Sequence, residues 1–405
     1  MANDGRRQNV CTEFGPTRRR VLGGAASLAL VAADARAEPP PRDNPLSEPI
    51  RIVDTADSLV FAQPMLDAFA ATAPARMAVI ETTRAHVSVL TQLRRQITVG
   101  TPRYDAAFVA LDGLYLGIFQ KMWQSLSADL GVNLADLNST LTPLAQKLQA
   151  MTDDQGTIVA CAAEGPMLLY RPSRVPTVPS TPKDLLDWTR QNPRRFLYPR
   201  PPYATAGRVF VQALPALLGD SDPADPVHGW DRTWDYLREL GRGIDYYPTA
   251  SSTSFSELVD ENCDLMATTV GWDISSRARG LAPLDTQVAF FTGQNLIPEG
   301  HFLCIPRNVA PEKLPILAQL AGFLWGPQAQ AFAYTGGLMY PGPVSRDVTL
   351  AMMPDAVRRM MEQFVRPGID GMLASHPVAG PLPQEQMRYV MQRWDEQIGA
   401  NLHAE

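Results

Sequence analysis

Histidine and cysteine are scarce in this chain of 405 residues, which holds 5 histidines and 4 cysteines. Neither residue type shows the spacing of a zinc site or of a His-Glu-x-x-His helix. The sequence therefore predicts no metal site and no cofactor. Cys11 lies near the N-terminus, and the remaining Cys161, Cys263 and Cys304 allow at most one disulfide. Buried, unpaired thiols are the alternative.

The chain also lacks the short motifs of several enzyme classes and any excess of basic residues. It has no phosphate-binding loop ending in Gly-Lys-Ser/Thr, no Gly-x-Gly-x-x-Gly after a strand and no Gly-x-Ser-x-Gly elbow. We therefore predict a protein that is not an enzyme, with an exported enzyme lacking a recognisable cofactor motif as the alternative. The 36 basic and 42 acidic residues give a net charge of −6, which disfavours nucleic-acid binding.

No apolar run reaches the roughly 20 residues that a transmembrane helix needs. Three arginines at residues 18–20 precede an apolar run at 21–33, and small residues at 35 and 37 suit cleavage before Glu38. This pattern predicts a twin-arginine-type signal peptide over residues 1–37 and a Pro-rich linker over residues 38–49, and hence a periplasmic protein. The alternative, a basic terminus followed by a buried helix, is disfavoured by the proline-rich segment.

Apolar segments typical of strands alternate with amphipathic segments from residue 50 onward. The first series places strands at residues 50–53, 77–80 and 106–111, and helices at 64–72 and 86–99. Such an order predicts a parallel sheet covered by helices. A second, similar series follows, and the C-terminal part is mostly helical. The chain is long enough for two cores, so we predict an α/β fold with two lobes and a helical C-terminal segment.

Four segments together resemble one family of binding proteins. Residues 300–309 (GHFLCIPRNV) match a returning strand that ends in Ile-Pro, and residues 326–330 (GPQAQ) match the start of a later helix. Residues 165–171 (GPMLLYR) match a strand on the hinge side, with Arg171 where the family usually has Asn. Residues 261–266 (ENCDLM) match a further strand but lack its usual Gly. The chain thus resembles the solute-binding proteins of bacterial ABC importers, in extracellular solute-binding protein family 1.

The resemblance implies the type II periplasmic binding protein fold, in which two doubly wound α/β lobes enclose a ligand cleft. It predicts lobe 1 at residues 50–163 and 300–345, lobe 2 at 164–299 and the helical C-terminal segment at 346–405. It also implies a small-molecule ligand and the membrane permease of an ABC transporter as partner. We expect a monomer. The sequence leaves open whether the protein serves an importer or a sensor.

The candidate ligand-binding residues follow from fold geometry, because ligands bind beyond the carboxyl ends of parallel strands. The loops after the predicted strands, a polar loop before a helix for Ser252 and the start of the returning strand for Glu299 supply the candidates. They are Asp54, Asp57, Ser58, Thr83, Arg84, Asp112, Tyr203, Thr205, Ser252, Trp272, Asp273 and Glu299. Some have structural alternatives: Asp54 would also cap a helix, and Trp272 would also fill a core.

The charge of these candidates favours an organic cation of the polyamine or thiamine type. They include five carboxylates and one base, Arg84. Trp272 and Tyr203 would add aromatic faces for cation–π contacts. Two alternatives stay open: a small anion at the helix start near Thr205, and a sugar stacked on Trp272.

Overall fold

The computed structural model describes residues 48–73, 77–82 and 86–400. The predicted signal peptide, nearly all of the predicted linker, Thr83 and Arg84 lie outside the described residues. The described residues belong to one structural unit, residues 43–405. None of their helices has both the length and the apolar character needed to cross a membrane.

Strands and helices alternate through most of the described chain. The strands are β1 (Ile50–Asp54), β2 (Met77–Thr82), β3 (Ala106–Ala110), β4 (Thr157–Gly165), β5 (Met167–Tyr170), β6 (Phe196–Leu197), β7 (Leu265–Thr268), β8 (Gln287–Ala289), β9 (Ile297–Cys304) and β10 (Pro341–Gly342). The helices are α1 (Leu59–Ala70), α2 (His86–Thr98), α3 (Leu111–Phe119), α4 (Leu134–Asn138), α5 (Pro143–Ala150), α6 (Pro182–Gln191), α7 (Thr205–Leu218), α8 (Asp231–Gly241), α9 (Ser251–Val259), α10 (Val270–Ala278), α11 (Leu314–Phe323), α12 (Pro327–Gln330), α13 (Asp355–Phe364), α14 (Ile369–Ala374) and α15 (Gln384–Trp394).

The first sheet has the strand order β10-β4-β9-β3-β1-β2. β1 pairs in parallel with β2 and β3, whereas β9 runs antiparallel between β3 and β4. Alternate residues of β3 enter two different core clusters, Ala106 and Phe108 in one and Ala107 and Val109 in the other. This is expected of a strand whose successive side chains point to opposite faces of a sheet that is covered on both sides. We call this sheet and its helices the first lobe.

The second sheet has the order β6-β7-β5-β8, with β6 parallel to β7 and β5 antiparallel to both of its neighbours. Its larger core includes Phe210 of α7 and Trp234 of α8. Met387 and Trp394 of α15 are buried in the same core, so α15 packs on this sheet. We call this sheet and its helices the second lobe.

The chain passes from the first sheet to the second between β4 and β5, and it returns between β8 and β9. Residues 164–165 and 297–299 still belong to β4 and β9, which are paired in the first sheet. The predicted lobe boundaries, after residue 163 and before residue 300, therefore fall inside β4 and β9. β4 ends two residues after the first boundary, and β9 begins three residues before the second.

The start of α1 differs from the prediction. The helix begins at Leu59 rather than at Pro64, and Pro64 lies inside it. The reason lies in Asp54 at the end of β1. Its carboxylate accepts the backbone N–H groups of Ser58 at 3.1 Å and of Leu59 at 2.9 Å, which satisfies donors that open a helix.

Three further helices cover residues that were predicted to lie in loops. α3 starts directly after β3, so Asp112 lies in a helical first turn and not in a loop. α10 starts at Val270, and the Thr269 side chain caps it by accepting the backbone N–H of Trp272 at 3.3 Å. Trp272 is therefore helical and not part of a polar loop. α9 starts at Ser251, so Ser252 lies in its first turn.

The three cysteines beyond the N-terminal segment are buried free thiols, and the described residues contain no disulfide. Burial raises the pKa of Cys161 and of Cys263 to about 12. Both thiols are therefore protonated at neutral pH, as expected of cysteines that pack as small apolar residues.

Candidate functional site

A cavity of about 420 Å³ is lined by elements of both lobes. The first lobe contributes the β1–α1 loop, the start of α3 and the ends of β4 and β9. The second lobe contributes the residues at the starts of α7, α9 and α10. The volume lies within the range usual for small-molecule sites.

Half of the predicted site residues line this cavity. They are Asp57, Asp112, Tyr203, Thr205, Trp272 and Glu299. The rule that ligands bind beyond strand ends accounts for this, because these residues follow or end strands whose tips meet between the two sheets.

Asp54 and Ser58 lie behind the lining. Asp54 is completely buried and caps α1, which is the structural alternative weighed for it. Burial raises the pKa of its carboxyl, whereas the backbone N–H groups that it accepts oppose the rise. The Ser58 hydroxyl hydrogen-bonds the Nδ1 atom of His301 at 2.9 Å, and His301 itself lines the cavity.

Asp273 does not line the cavity, so its prediction as a ligand-binding residue needs correction. Its side chain is 2% exposed and lies between two guanidinium groups. Arg277 donates to it at 3.1 and 2.9 Å, and Arg366 donates at 2.8 and 2.9 Å. Because these four bonds satisfy both carboxylate oxygens, Asp273 joins α10 to the segment after α13.

Ser252 is likewise not among the lining residues, although Thr249, Ala250 and Ser251 beside it are. The early start of α9 places Ser251 in the first position of the helix facing the cavity. Thr83 and Arg84 lie outside the described residues.

Arg208 is a lining residue that the sequence analysis missed. It lies in the first turn of α7, and its side chain is 5% exposed. Its guanidinium donates to the Glu299 carboxylate and lies 3.6 Å from that of Asp112. Burial alone would lower the pKa of Arg208, but Glu299 and Asp112 outweigh it and raise the pKa. The base in the cavity wall is thus already engaged by two acids.

Glu299 is held by three donors. Besides Arg208, it accepts the backbone N–H groups of Leu111 at 3.2 Å and of Gly300 at 3.0 Å. Burial raises the pKa of Glu299, and Arg208 works against that rise. Accepting from three donors is the bonding pattern of an ionised carboxylate.

Glu164, near the end of β4, is a second lining residue that was missed. It is 2% exposed, and its Oε2 atom has no hydrogen-bond partner among the described residues. Burial raises its pKa to about 8, with the Glu299 charge adding to the rise and Thr269 and Arg208 opposing it. The carboxyl group is therefore mostly protonated at neutral pH.

His301, two residues beyond Glu299 on β9, is the third lining residue that was missed. Burial lowers its pKa to about 4, with Arg208 contributing and Asp112 opposing. The imidazole is therefore neutral at pH 7 and adds no charge to the cavity wall.

Two helices of the second lobe begin at the cavity wall without a side-chain cap. These are α7, whose N-cap is Ala204, and α9, whose N-cap is Ala250. Helix starts carry unsatisfied N–H groups and a partial positive charge. Gly207 lets the first turn of α7 pack closely against the backbone at Pro199. A Cβ atom at position 207 would lie only 1.8 Å from the carbonyl oxygen of Pro199.

A sequence signal for two of the missed residues does exist. Glu164 stands alone in the apolar stretch 157–170, and Arg208 stands alone in the apolar stretch 206–218 apart from one Gln. A charged side chain on an element that must be buried needs a partner or a function. Among the described residues, no group of three or more His, Cys, Asp or Glu side chains could hold a metal ion.

Two packed lobes with a cavity between them that has charged groups in its wall are the architecture of a ligand-binding protein, and the family comparison agrees. Residues 65–358 match the family of bacterial extracellular solute-binding proteins, and the chain belongs to this family. The predicted recognition is thereby confirmed. No curated protein sequence matches the chain.

Solved structures of transport proteins share the fold. A periplasmic thiamin binding protein has a TM-score of 0.61 and 16% identity, over 87% of this chain and 96% of that one. AfuA of Actinobacillus pleuropneumoniae, with fructose-6-phosphate bound, has a TM-score of 0.63 and 12% identity, over 86% and 98%. PotD of Streptococcus pneumoniae, a spermidine/putrescine substrate-binding protein, has a TM-score of 0.55 and 14% identity, over 86% and 99%.

These similarities confirm the predicted α/β fold of the periplasmic binding protein type. The family match defines the protein at a coarse level as an extracellular solute-binding protein. The family and its structural neighbours are solute-binding proteins of transport systems and not enzymes. An extracellular solute-binding family implies export and a small-molecule ligand.

Proposed function

We propose that this protein binds a small organic cation, of the polyamine or thiamine class, in the periplasm and delivers it to the permease of an ABC importer. The observation that carries this proposal is the charge of the cavity wall. Arg208 is the one guanidinium among the described lining residues, and it is already paired with Glu299. Asp57 and Asp112 add two further carboxylates, so acids outnumber bases among the described lining residues.

The neutral lining groups support the same ligand class. Glu164 is protonated and His301 is unprotonated at pH 7, so neither offsets the two aspartates. Trp272 and Tyr203 line the second-lobe side of the cavity. Their faces would attract a cation with roughly 0.5–2 kcal/mol each, depending on how far it is desolvated.

Contacts with both lobes suggest how binding would be signalled. A ligand that touches Asp57 and Asp112 on one side and Trp272 on the other would stabilise the closed arrangement of the lobes. The permease would then recognise that closed form. No bond is made or broken in the ligand.

A small anion is the second candidate, favoured by the uncapped starts of α7 and α9. An anion would have to separate Arg208 from Glu299, or accept from backbone N–H groups alone while facing two aspartates. This electrostatic conflict makes the cation the better proposal.

The proposed site can be tested by a thermal-shift screen of the protein purified from the exported fraction. The panel would hold thiamine, spermidine, putrescine, sugars, amino acids and small oxyanions. A ligand present at 100 times its Kd adds about 2.7 kcal/mol of stability. We expect a shift with one of the cations. We expect Asp112→Asn to weaken that cation about tenfold or more, since a charge-assisted hydrogen bond is lost.

Asp347→Asn is the matched control, because Asp347 is exposed and does not line the cavity. It should bind as the wild type does. A shift with oxyanions or sugars and none with cations would contradict the proposed ligand class. No shift at all would return the enzyme alternative to consideration. The intact mass of the same sample tests the predicted signal peptide, since its removal leaves Glu38 as the first residue.

A further inference from the structure

We propose that Glu164 holds a proton in the empty cavity and releases it to solvent when the cation binds, so that capture of the ligand is coupled to proton release. This inference rests on the proposed organic-cation function and assigns one residue of the cavity a specific part in it. The ligand remains chemically unchanged. The proton leaves the Glu164 carboxyl for the buffer, and the carboxylate that remains pairs with the bound cation.

The position of Glu164 in its strand aims it at the cavity. In the ladder between β4 and β9, Ala163 pairs with Pro298 and Gly165 pairs with Ile297, and the register shifts between these two pairs. Glu164 is the residue left at the irregularity. Such bulges turn a side chain away from the regular alternation of the strand and are frequent beside functional sites. The next residues form the crossover to the second sheet.

Glu164 has a side-chain oxygen that is available to hydrogen-bond a ligand. Its side chain is buried and lines the cavity, yet Oε2 has no hydrogen-bond partner among the described residues. A buried polar atom without a partner is unfavourable, and the few that occur in native proteins call for an explanation such as an absent ligand. Two other buried carboxylates near the cavity do have partners. Glu299 accepts from three donors, and Asp54 accepts backbone N–H groups at the start of α1.

The groups around Glu164 explain why it would hold a proton until a cation arrives. The charged groups that act on it are Glu299 on β9 and Arg208 on α7, with the hydroxyl of Thr269 at the start of α10. Arg208 is engaged by Glu299 and Asp112, so it compensates Glu164 only in part. Burial raises the pKa of Glu164 to about 8. A cation within about 4–6 Å would lower that pKa and favour the carboxylate.

Calorimetric titration separates proton release from binding itself. Thiamine, spermidine and putrescine would each be titrated at pH 7 in two buffers of different ionisation enthalpy. For the cation that binds, we expect the wild type to release about one more proton than Glu164→Gln does. Taking the difference between the two proteins cancels any protons that the ligand itself exchanges. Thiamine is the cleanest probe, because the charge of its thiazolium ring does not titrate.

The pH dependence of the affinity gives an independent measurement. For thiamine, the wild-type affinity should rise up to tenfold per pH unit below pH 8 and level off above it. Glu164→Gln should show no such rise, and it should bind about tenfold or more weakly at pH 8.5, where the wild-type carboxylate is already charged. Glu312→Gln, a change of the same kind at an exposed position, should match the wild type in both respects.

The outcomes separate this inference from the function on which it rests. Cation binding with equal proton release in wild type and Glu164→Gln would overturn the inference and leave the proposed function standing. If Glu164 stays neutral and donates a hydrogen bond to the ligand, no proton is released. That result would also overturn the inference and leave the proposed function standing. If none of the three cations binds, the organic-cation function is overturned and the inference falls with it.

Discussion

Among the described residues, a carboxylate–arginine cluster around Asp273 and another around Glu299 are both buried, and only the second borders the cavity. In the first, Asp273 accepts four hydrogen bonds from Arg277 and Arg366. In the second, Glu299 accepts from Arg208 and from two backbone N–H groups. Both clusters are nearly inaccessible to solvent, and both bring together charges from separate elements.

The clusters differ in whether every polar atom has a partner. Both oxygens of Asp273 are satisfied, so this cluster only holds α10 against the segment after α13. The cavity cluster is bordered by Glu164, whose Oε2 has no partner among the described residues. The comparison teaches that burial and charge do not separate a structural ion pair from a binding site. Unsatisfied hydrogen-bonding capacity beside a cavity does.

The largest expected effect is the loss of stability in Asp273→Asn. Removing one partner of a buried ion pair leaves uncompensated charge, here on two guanidinium groups, and typically reduces the free energy of unfolding by about 3–5 kcal/mol. Urea unfolding measures this change. Asp355→Asn, which breaks an exposed pair with Arg358, should reduce it by less than about 1 kcal/mol.

If the comparison is correct, folded Asp273→Asn should bind the cation within about twofold of the wild type. A large loss of affinity with unchanged stability would reverse the assignment and return Asp273 to the binding site.

The next effect is a pH dependence of stability that comes from the cavity cluster. The folded protein keeps a proton on Glu164 up to about pH 8, whereas the unfolded chain releases it near pH 4.5. Stability should therefore fall as the pH rises, by about 1–2 kcal/mol between pH 6.5 and 8. Urea unfolding of the ligand-free protein at several pH values checks this, and Glu164→Gln should flatten the curve over that window. An unchanged slope in the variant would contradict the assignment.

The pH dependence should level off below about pH 6.5, because His301 offsets the contribution of Glu164 there. Its folded pKa of about 4 lies below the ordinary value of 6.5, so the unfolded chain binds a proton that the folded protein does not. Between these values His301 makes stability fall as the pH falls, opposite in sign to Glu164.

The smallest effect is expected at the rim of the cavity. Tyr203 is 51% exposed, and Arg200 lies over its ring at 5.9 Å. A partly solvated cation–π contact between the ligand and Tyr203 would contribute about 0.5–1 kcal/mol. Tyr203→Ala should therefore weaken cation binding roughly two- to sixfold, with little change in the free energy of unfolding. Calorimetry measures the affinity. Equal binding by wild type and variant would place the cation away from this rim and deeper among the carboxylates.

The order of strands and helices could be predicted because it depends on local pattern. Apolar alternation and the spacing of turns predicted β1, β2 and β3 with the helices between them. The starts of α1, α3, α9 and α10 were less predictable. The start of α1 depends on Asp54, which lies five positions before Leu59 and would also have suited a ligand-binding role.

The site could be predicted in part, for a topological reason. Strand ends converge in any such sheet, so Asp57, Asp112 and Glu299 could be nominated without coordinates. The arginine partners of the buried carboxylates could not be predicted in this way. Arg208 and Glu299 are 91 positions apart in the sequence, and Asp273 and Arg366 are 93 positions apart. No periodicity in the sequence relates residues at such distances.

The sequence by itself thus determined the α/β class, the family and the tips of the strands that form the cavity. Short-range periodicity and the geometry of parallel strands carry that information. The tertiary structure decided which carboxylates line the cavity and which partners each of them meets. Packing brings distant elements together, and the protonation state and hydrogen-bonding capacity of a buried acid depend on the neighbours it meets there.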